Sequence, residues 1–195
     1  MATDDSRLAE QIRLQRNFGF AGFDKVISIG TNAKMNEVSA AMGLTLMDDL
    51  DEIIAINRRN YEIYSNELNS LPGCNMVKFN LVEKNNYQYI VLEIDPQAAG
   101  ITRDQLTQIL WTENIRVRRY FFPGVHRMEP YRTQFPDFSG RLPETEKLVE
   151  RLITLPTGTT IRPVDIEEVC QIIRLALRNS RELKQWLERS SGDHP

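Results

Sequence analysis

Leu46, Leu50, Ile53, Asn57, Tyr61, Tyr64 and Leu68 recur at steps of three and four. They lie in a stretch, Asn36 to about Ser70, that holds no proline and one glycine, Gly43. That spacing predicts a helix sustained over many turns. At 1.5 Å per residue it would run ~50 Å, longer than a small domain needs, so it is expected to bridge two structural units or two subunits. Leu71-Pro72-Gly73 ends it. Ahead of it, residues 4–16 predict a short helix through Leu8, Ile12 and Leu14, capped by Thr3 or Asp4. A glycine-bearing loop, residues 17–35, follows, interrupted by a β-branched stretch from Val26 to Ile29.

The second half alternates. Tyr87 to Ile94 and Ile115 to Arg119 predict strands, and Thr102 to Glu113 predicts a helix between them. Thr102 with Gln105 three residues on has the form of a capping box. Tyr120 to Leu142 predicts a long irregular loop with Pro123, Pro130 and Pro136. Glu144 to Leu152 predicts a helix and Ile153 to Leu155 a short strand, closed by Pro156-Thr157-Gly158. A final helix is expected from Asp165 to about Arg189, with Ile166, Val169, Cys170, Ile173 and Leu177 on one face. Strands alternating with helices predict an α/β unit of about 100 residues.

Composition narrows the function classes. The 195 residues are 41% hydrophobic and 26% charged, which excludes collagen-like, low-complexity and disordered chains. The net charge of −3 argues against a nucleic-acid binder. No apolar run reaches the ~18 residues of a membrane helix, and Met1 to Ile12 lacks the apolar core of a signal peptide. The expectation is a soluble, cytoplasmic protein. Cys74 and Cys170 are far apart and form no CxxC, so neither a disulfide framework nor a metal site is expected. Cys170 reads as core packing. His194 sits in a polar tail, Ser190 to Pro195, expected to be disordered.

Two segments offer chemistry. Gly30-Thr31-Asn32-Ala33-Lys34-Met35-Asn36-Glu37 leads into the long helix. A helix N-terminus carries free N–H groups and partial positive charge. With the Asn32 amide and the Lys34 ammonium added, it could hold a phosphate, or it is an ordinary capped loop. Arg118-Arg119-Tyr120-Phe121-Phe122-Pro123-Gly124-Val125-His126, running on to Pro130-Tyr131, lies in a loop long enough to suggest function. Ile115 and Val117 are expected to face inward, leaving Arg116 and Arg118 on the other side of the strand. Standard phosphate-loop, dinucleotide, zinc-protease and nucleophile-elbow motifs are absent.

Four stretches together carry a resemblance. They are Arg16-Asn17-Phe18-Gly19, the Gly30–Glu37 segment with Ala40-Ala41, Tyr120–His126 with Pro130-Tyr131, and Leu155-Pro156-Thr157-Gly158. In this order they resemble the DegT/DnrJ/StrS sugar aminotransferases, pyridoxal-phosphate enzymes of aspartate-aminotransferase fold (fold type I), over residues 3–178. The resemblance implies transfer of an amino group from glutamate or glutamine to a keto group on a nucleotide-linked sugar. It implies pyridoxal 5'-phosphate as cofactor, held by a lysine that also moves the proton. An acidic residue pairs with the pyridine nitrogen. It assigns Asn32 and Lys34 to the cofactor phosphate of a neighbouring subunit in a homodimer, and His126 and Tyr131 to the substrate side.

The chain departs from the family at one place. The Schiff-base lysine of the family lies upstream of the Arg16–Gly19 segment, and none of the 15 residues before Arg16 is a lysine. The expected architecture is therefore the C-terminal part of the fold. Residues 1–35 would be a remnant of the large cofactor domain and 36–70 the long linking helix. Residues 71–182 would be the small α/β domain, and 183–195 the helix end and tail. Met1 would be an internal start, of a split or a truncated gene. Such a chain is expected to be inactive alone, to complement an N-terminal half, or to serve as a non-catalytic binding or regulatory module.

Overall fold

The computed structural model describes residues 2–80, 82–138 and 140–190; the tail with His194 lies outside the described residues. The chain divides into two compact units, residues 1–50 and 51–195.

In the first unit, helix α1 spans Ser6–Gln15. Its cap is Asp5, one residue beyond the expected Asp4. The Asp5 carboxylate accepts from the Arg7 and Leu8 amides at 2.9 and 3.1 Å, while the Thr3 hydroxyl accepts from the Asp5 amide. A small antiparallel pair follows, β1 (Phe20–Gly22) with β2 (Lys25–Val26). The β-branched stretch thus enters a strand only at Val26. Helix α2 spans Glu37–Asp48, capped by Asn36, whose side chain accepts from the Ser39 amide at 2.8 Å. Gly19 is the one buried residue among the described residues of this unit. Phe23 is fully exposed, and Ile29, Met35, Val38, Met42 and Met47 are exposed as well. The unit has apolar side chains and no core of its own.

Asp49, with ψ near 4°, separates α2 from α3 (Leu50–Leu68), so the long periodic stretch is two helices. In the second unit α3 leads to β3 (Cys74–Met76), β4 (Ile90–Ile94) and a short α4 (Pro96–Ala99). Helix α5 (Arg103–Thr112), β5 (Arg118–Arg119) and a 3-10 turn at Val125–Arg127 come next. Then follow α6 (Tyr131–Gln134), α7 (Pro143–Val149), β6 (Leu152–Leu155), α8 (Pro163–Arg178) and α9 (Ser180–Ser190). The sheet order is β3-β4-β6-β5, and every pairing is antiparallel.

Strand alternation places Ile90, Leu92 and Ile94 of β4 and Ile153 and Leu155 of β6 in the core. Leu106 and Leu110 of α5 and Ile166, Val169, Cys170 and Ile173 of α8 pack into it, with Tyr64 and Leu68 of α3. The α8 stripe is the one its spacing predicts. The Thr102–Gln105 capping box forms in both directions.

Several further strand and helix expectations change. Tyr87 adopts φ 50°, and the strand begins only at Ile90. Asn114 adopts φ 58° while the Ile115 amide returns to the Leu110 carbonyl, which closes α5 and delays β5 to Arg118. Val117 is nevertheless buried, with Arg116 and Arg118 exposed. The last helix breaks at Asn179, whose amide and side chain both donate to the Leu175 carbonyl.

A polar cluster ties α3 to the exit of β6. Buried Asn60 donates to the Thr157 hydroxyl and the Gly158 carbonyl, each at 3.2 Å, and accepts from Arg59. Arg59 also donates to the Ile161 carbonyl, and Tyr64 donates to the Pro156 carbonyl at 3.0 Å. The Leu155–Gly158 segment is thereby held against one helix face.

Candidate functional site

In the first unit the Arg16–Gly19 and Gly30–Glu37 segments lie side by side. The Phe18 amide donates to the Thr31 carbonyl, the Thr31 amide to Gln15, and the Ala33 amide to Arg16. Asn17 and Asn32 form an isolated antiparallel bridge. Gly30 makes this approach possible. A Cβ there would lie 2.4 Å from the Gln15 carbonyl oxygen and 2.5 Å from the Gly19 amide nitrogen, while Gly19, at φ 83°, packs in turn against the Ser28 carbonyl. Lys34 donates to the Asn17 side chain at 3.3 Å, and its ammonium stands 5.5 Å from the Phe18 ring centroid. Asn32 and Lys34 are thus drawn together around Asn17. Both are exposed, a few residues ahead of the N-terminus of α2. An amide, an ammonium and a helix N-terminus form a donor set suited to a phosphate ester.

In the second unit the segment after β5 is pinned by stacked charge and aromatic contacts. Two guanidinium groups approach the Phe122 ring, Arg103 at 5.1 Å and Arg119 at 4.5 Å from the ring centroid. Asp104 accepts from Arg103 at 2.7 Å and from Arg119 at 3.5 Å. Arg103 is only 1% exposed and donates to the Leu152 carbonyl at 2.7 Å. Burial lowers its pKa from the usual arginine value, with Asp104 acting in the opposite direction. Tyr120 packs at a tilt against Tyr89 and Phe121, with ring centroids 5.3 and 4.1 Å away.

His126 and Tyr131 line one cleft of about 370 Å³ with Val125, Phe135, Phe138 and Leu142. A neighbouring cleft of about 380 Å³ shares Val125, His126 and Leu142 and extends to Tyr120 and Phe121. Tyr131 is half exposed, whereas the His126 side chain keeps 7% of its surface. Gly124, at φ 97°, leaves room for the imidazole; a Cβ there would come within 2.8 Å of the ring. The His126 Nε2 has no hydrogen-bond partner and lies 3.5 Å from the Glu146 carboxylate. Glu146 accepts from the Gly140 amide at 2.8 Å and pairs with Arg127 at 2.9 Å. The Gly140 amide, followed by the charges of Arg127 and His126, holds the Glu146 carboxyl below its usual pKa against the opposing effect of burial.

The geometry adds residues that sequence reasoning passed over. Asn17 belongs to the Arg16–Gly19 segment, yet its bond to Lys34 spans 17 positions and has no local signal. Glu146 sits beside Glu144 and Lys147 on a short helix, where charged residues ordinarily read as solvated. Among the described residues no group of three or more His, Cys, Asp or Glu could hold a metal ion. None of their helices is long and apolar enough to cross a membrane.

Comparison with known proteins is consistent along the chain. The model of the DegT/DnrJ/EryC1/StrS aminotransferase family matches residues 1–174. A dTDP-4-amino-4,6-dideoxy-D-glucose transaminase of Escherichia coli is 27% identical over 169 residues, covering 87% of this chain and 45% of that protein. The crystal structure of DesI in the presence of its TDP-sugar product superposes with a TM-score of 0.84 at 43% identity, covering 96% of this chain and 47% of that one. DesV of S. venezuelae, in complex with a ketimine intermediate, superposes at 0.82 with 23% identity, over 90% of this chain and 46% of that one. The chain spans about half the length of the relatives it matches.

Proposed function

Since the chain belongs to the DegT/DnrJ/EryC1/StrS aminotransferase family, we propose that it is the C-terminal portion of a pyridoxal-phosphate aminotransferase acting on a nucleotide-linked keto sugar, with glutamate or glutamine as amino donor. The match of residues 1–174, at about half the length of each relative, carries the reading. The 43% identity with DesI supports the sugar substrate.

In this reading residues 1–35 belong to the cofactor domain, 36–70 link, and 71–182 form the small domain. The exposed Asn32 amide and Lys34 ammonium fit the cofactor's phosphate by their chemistry and their place ahead of α2. The bound cofactor supplies the electron sink that lets an amino nitrogen leave one carbon and join another. Lys34 adds charge and Asn32 a directed donor, both oriented through Asn17. His126 and Tyr131 bound the substrate side, where the apolar wall of Val125, Phe135, Phe138 and Leu142 keeps water away.

The lysine that carries the cofactor is supplied from outside these 195 residues, by an N-terminal half or within a homodimer that contains one. The chain alone with pyridoxal phosphate is expected to show no stoichiometric, borohydride-reducible absorbance. Co-expression with an N-terminal half is expected to restore transamination. A reducible adduct on one of this chain's own lysines overturns the reading. A partner captured tightly without cofactor and without restored transamination makes the chain a binding module instead.

A further inference from the structure

Within the second unit, the segment from Arg127 to Gly140 runs from the Val125–Arg127 turn to just ahead of α7. Within it, Glu129 pairs with Arg132 at 2.6 Å and accepts from Thr133 at 2.6 Å, and Phe135 meets Phe138 edge to face. Those contacts organise the segment internally. What fastens it at both ends is a single carboxylate. Glu146 Oε2 pairs with Arg127 at the outgoing end, and Glu146 Oε1 accepts from the Gly140 amide at the returning end. The same Oε1 faces the buried His126 imidazole at 3.5 Å. Arg127 has a second, longer contact, 3.8 Å to Glu150.

We propose that Glu146 is the positioning residue of the His126–Tyr131 segment, clasping both ends of the 127–140 loop so that the imidazole and the phenol stand on one cleft wall. The proposal rests on the reading that this cleft faces the sugar nucleotide. Joining both ends of a loop of this length through one residue limits how far its ends can separate. A carboxylate is needed because the two ends make different demands. The Gly140 amide requires only an acceptor, whereas Arg127 requires charge. Glutamine satisfies the first and fails the second, so the two halves of the clasp are separable.

The test is amide hydrogen exchange on the full chain, comparing wild type with Glu146→Gln and Glu146→Ala. Glu146→Gln is expected to speed exchange about tenfold at Arg127 and Met128 while leaving Gly140 unchanged. Glu146→Ala is expected to speed both ends. Exchange at Ile90–Ile94 and Leu152–Leu155 stays at the wild-type rate in both variants. Wild-type exchange at both ends in Glu146→Ala overturns the proposal, as does uniform acceleration that includes the sheet. A second arm adds dTDP-glucose. Protection of peptides containing His126 and Tyr131, with about tenfold weaker binding in Glu146→Gln, joins the clasp to substrate positioning. No protection in the wild type fails the substrate reading, and the exchange arm still decides the clasp.

Discussion

Asn60 donates through one amide nitrogen to both the Thr157 hydroxyl and the Gly158 carbonyl, each at 3.2 Å, across nearly 100 positions of sequence. Asn60 is fully buried and its acceptors are partly so, and the donor lies on α3 while the acceptors follow β6. Asn60→Ala leaves those acceptors, and the Arg59 guanidinium that Asn60 receives, short of a partner. Losing a buried hydrogen-bonding group of this kind costs about 2 kcal/mol. The urea midpoint should fall accordingly with the slope unchanged.

Both cysteines are expected to be inert. Burial pushes the Cys74 thiol up to about 11 and the Cys170 thiol up to about 12, from an ordinary value of 9.0. Well below pH 9 both thiols are protonated folded or unfolded and contribute nothing to pH dependence. As pH rises through 9, and up to about 11 for Cys74 and about 12 for Cys170, the folded state retains protons that the unfolded chain loses, so stability falls. A thiol reagent at pH 8 should label neither residue in native buffer and both in denaturant, and denaturation midpoints should decline above pH 9.

Gly30→Ala should undo the pairing of the two motifs in the first unit. The new Cβ comes within 2.4 Å of the Gln15 carbonyl oxygen and 2.5 Å of the Gly19 amide nitrogen. The local cost should be about 2 kcal/mol, somewhat above the usual gain from removing a glycine at a compatible site. Exchange protection at Phe18, Thr31 and Ala33 should be lost, while the melting of residues 51–195 stays in place.

The exposed apolar side chains of α2 should drive self-association. Val38, Met42 and Met47 are all well over half exposed, and contiguous apolar surface of several hundred Å² promotes association. Light scattering should report oligomers of the wild-type chain. Val38→Glu with Met42→Glu should raise the dissociation constant at least tenfold. A monodisperse wild-type monomer contradicts this expectation.

Features set by neighbours in sequence were legible. The Thr102–Gln105 capping box and the apolar stripe of α8 depend on residues three and four apart, so spacing suffices. The resemblance identified the family and the fold. Features set by distant partners were not legible. Asn60 looks like any polar residue on a helix until Thr157 stands opposite it, and Arg103 looks solvated until Leu152 and Phe122 enclose it. The Asp49 break and the start of β4 at Ile90 turn on backbone angles that composition does not announce. At the candidate site, the loop aromatics and histidine were visible as a motif, while Glu146 carried no local sign of its two-ended contact.

The first unit, in which Gly19 alone is buried among the described residues, bears on dosage. A segment with no interior draws its order from whatever surface it meets, and that order is a function of concentration. Asn32 and Lys34, the proposed phosphate donors, reside in that segment. Dilution should therefore disable them well before it disturbs the sheet of residues 51–195. A cell that makes too little of the covering surface would then hold a folded small domain and a silent donor loop in the same molecule.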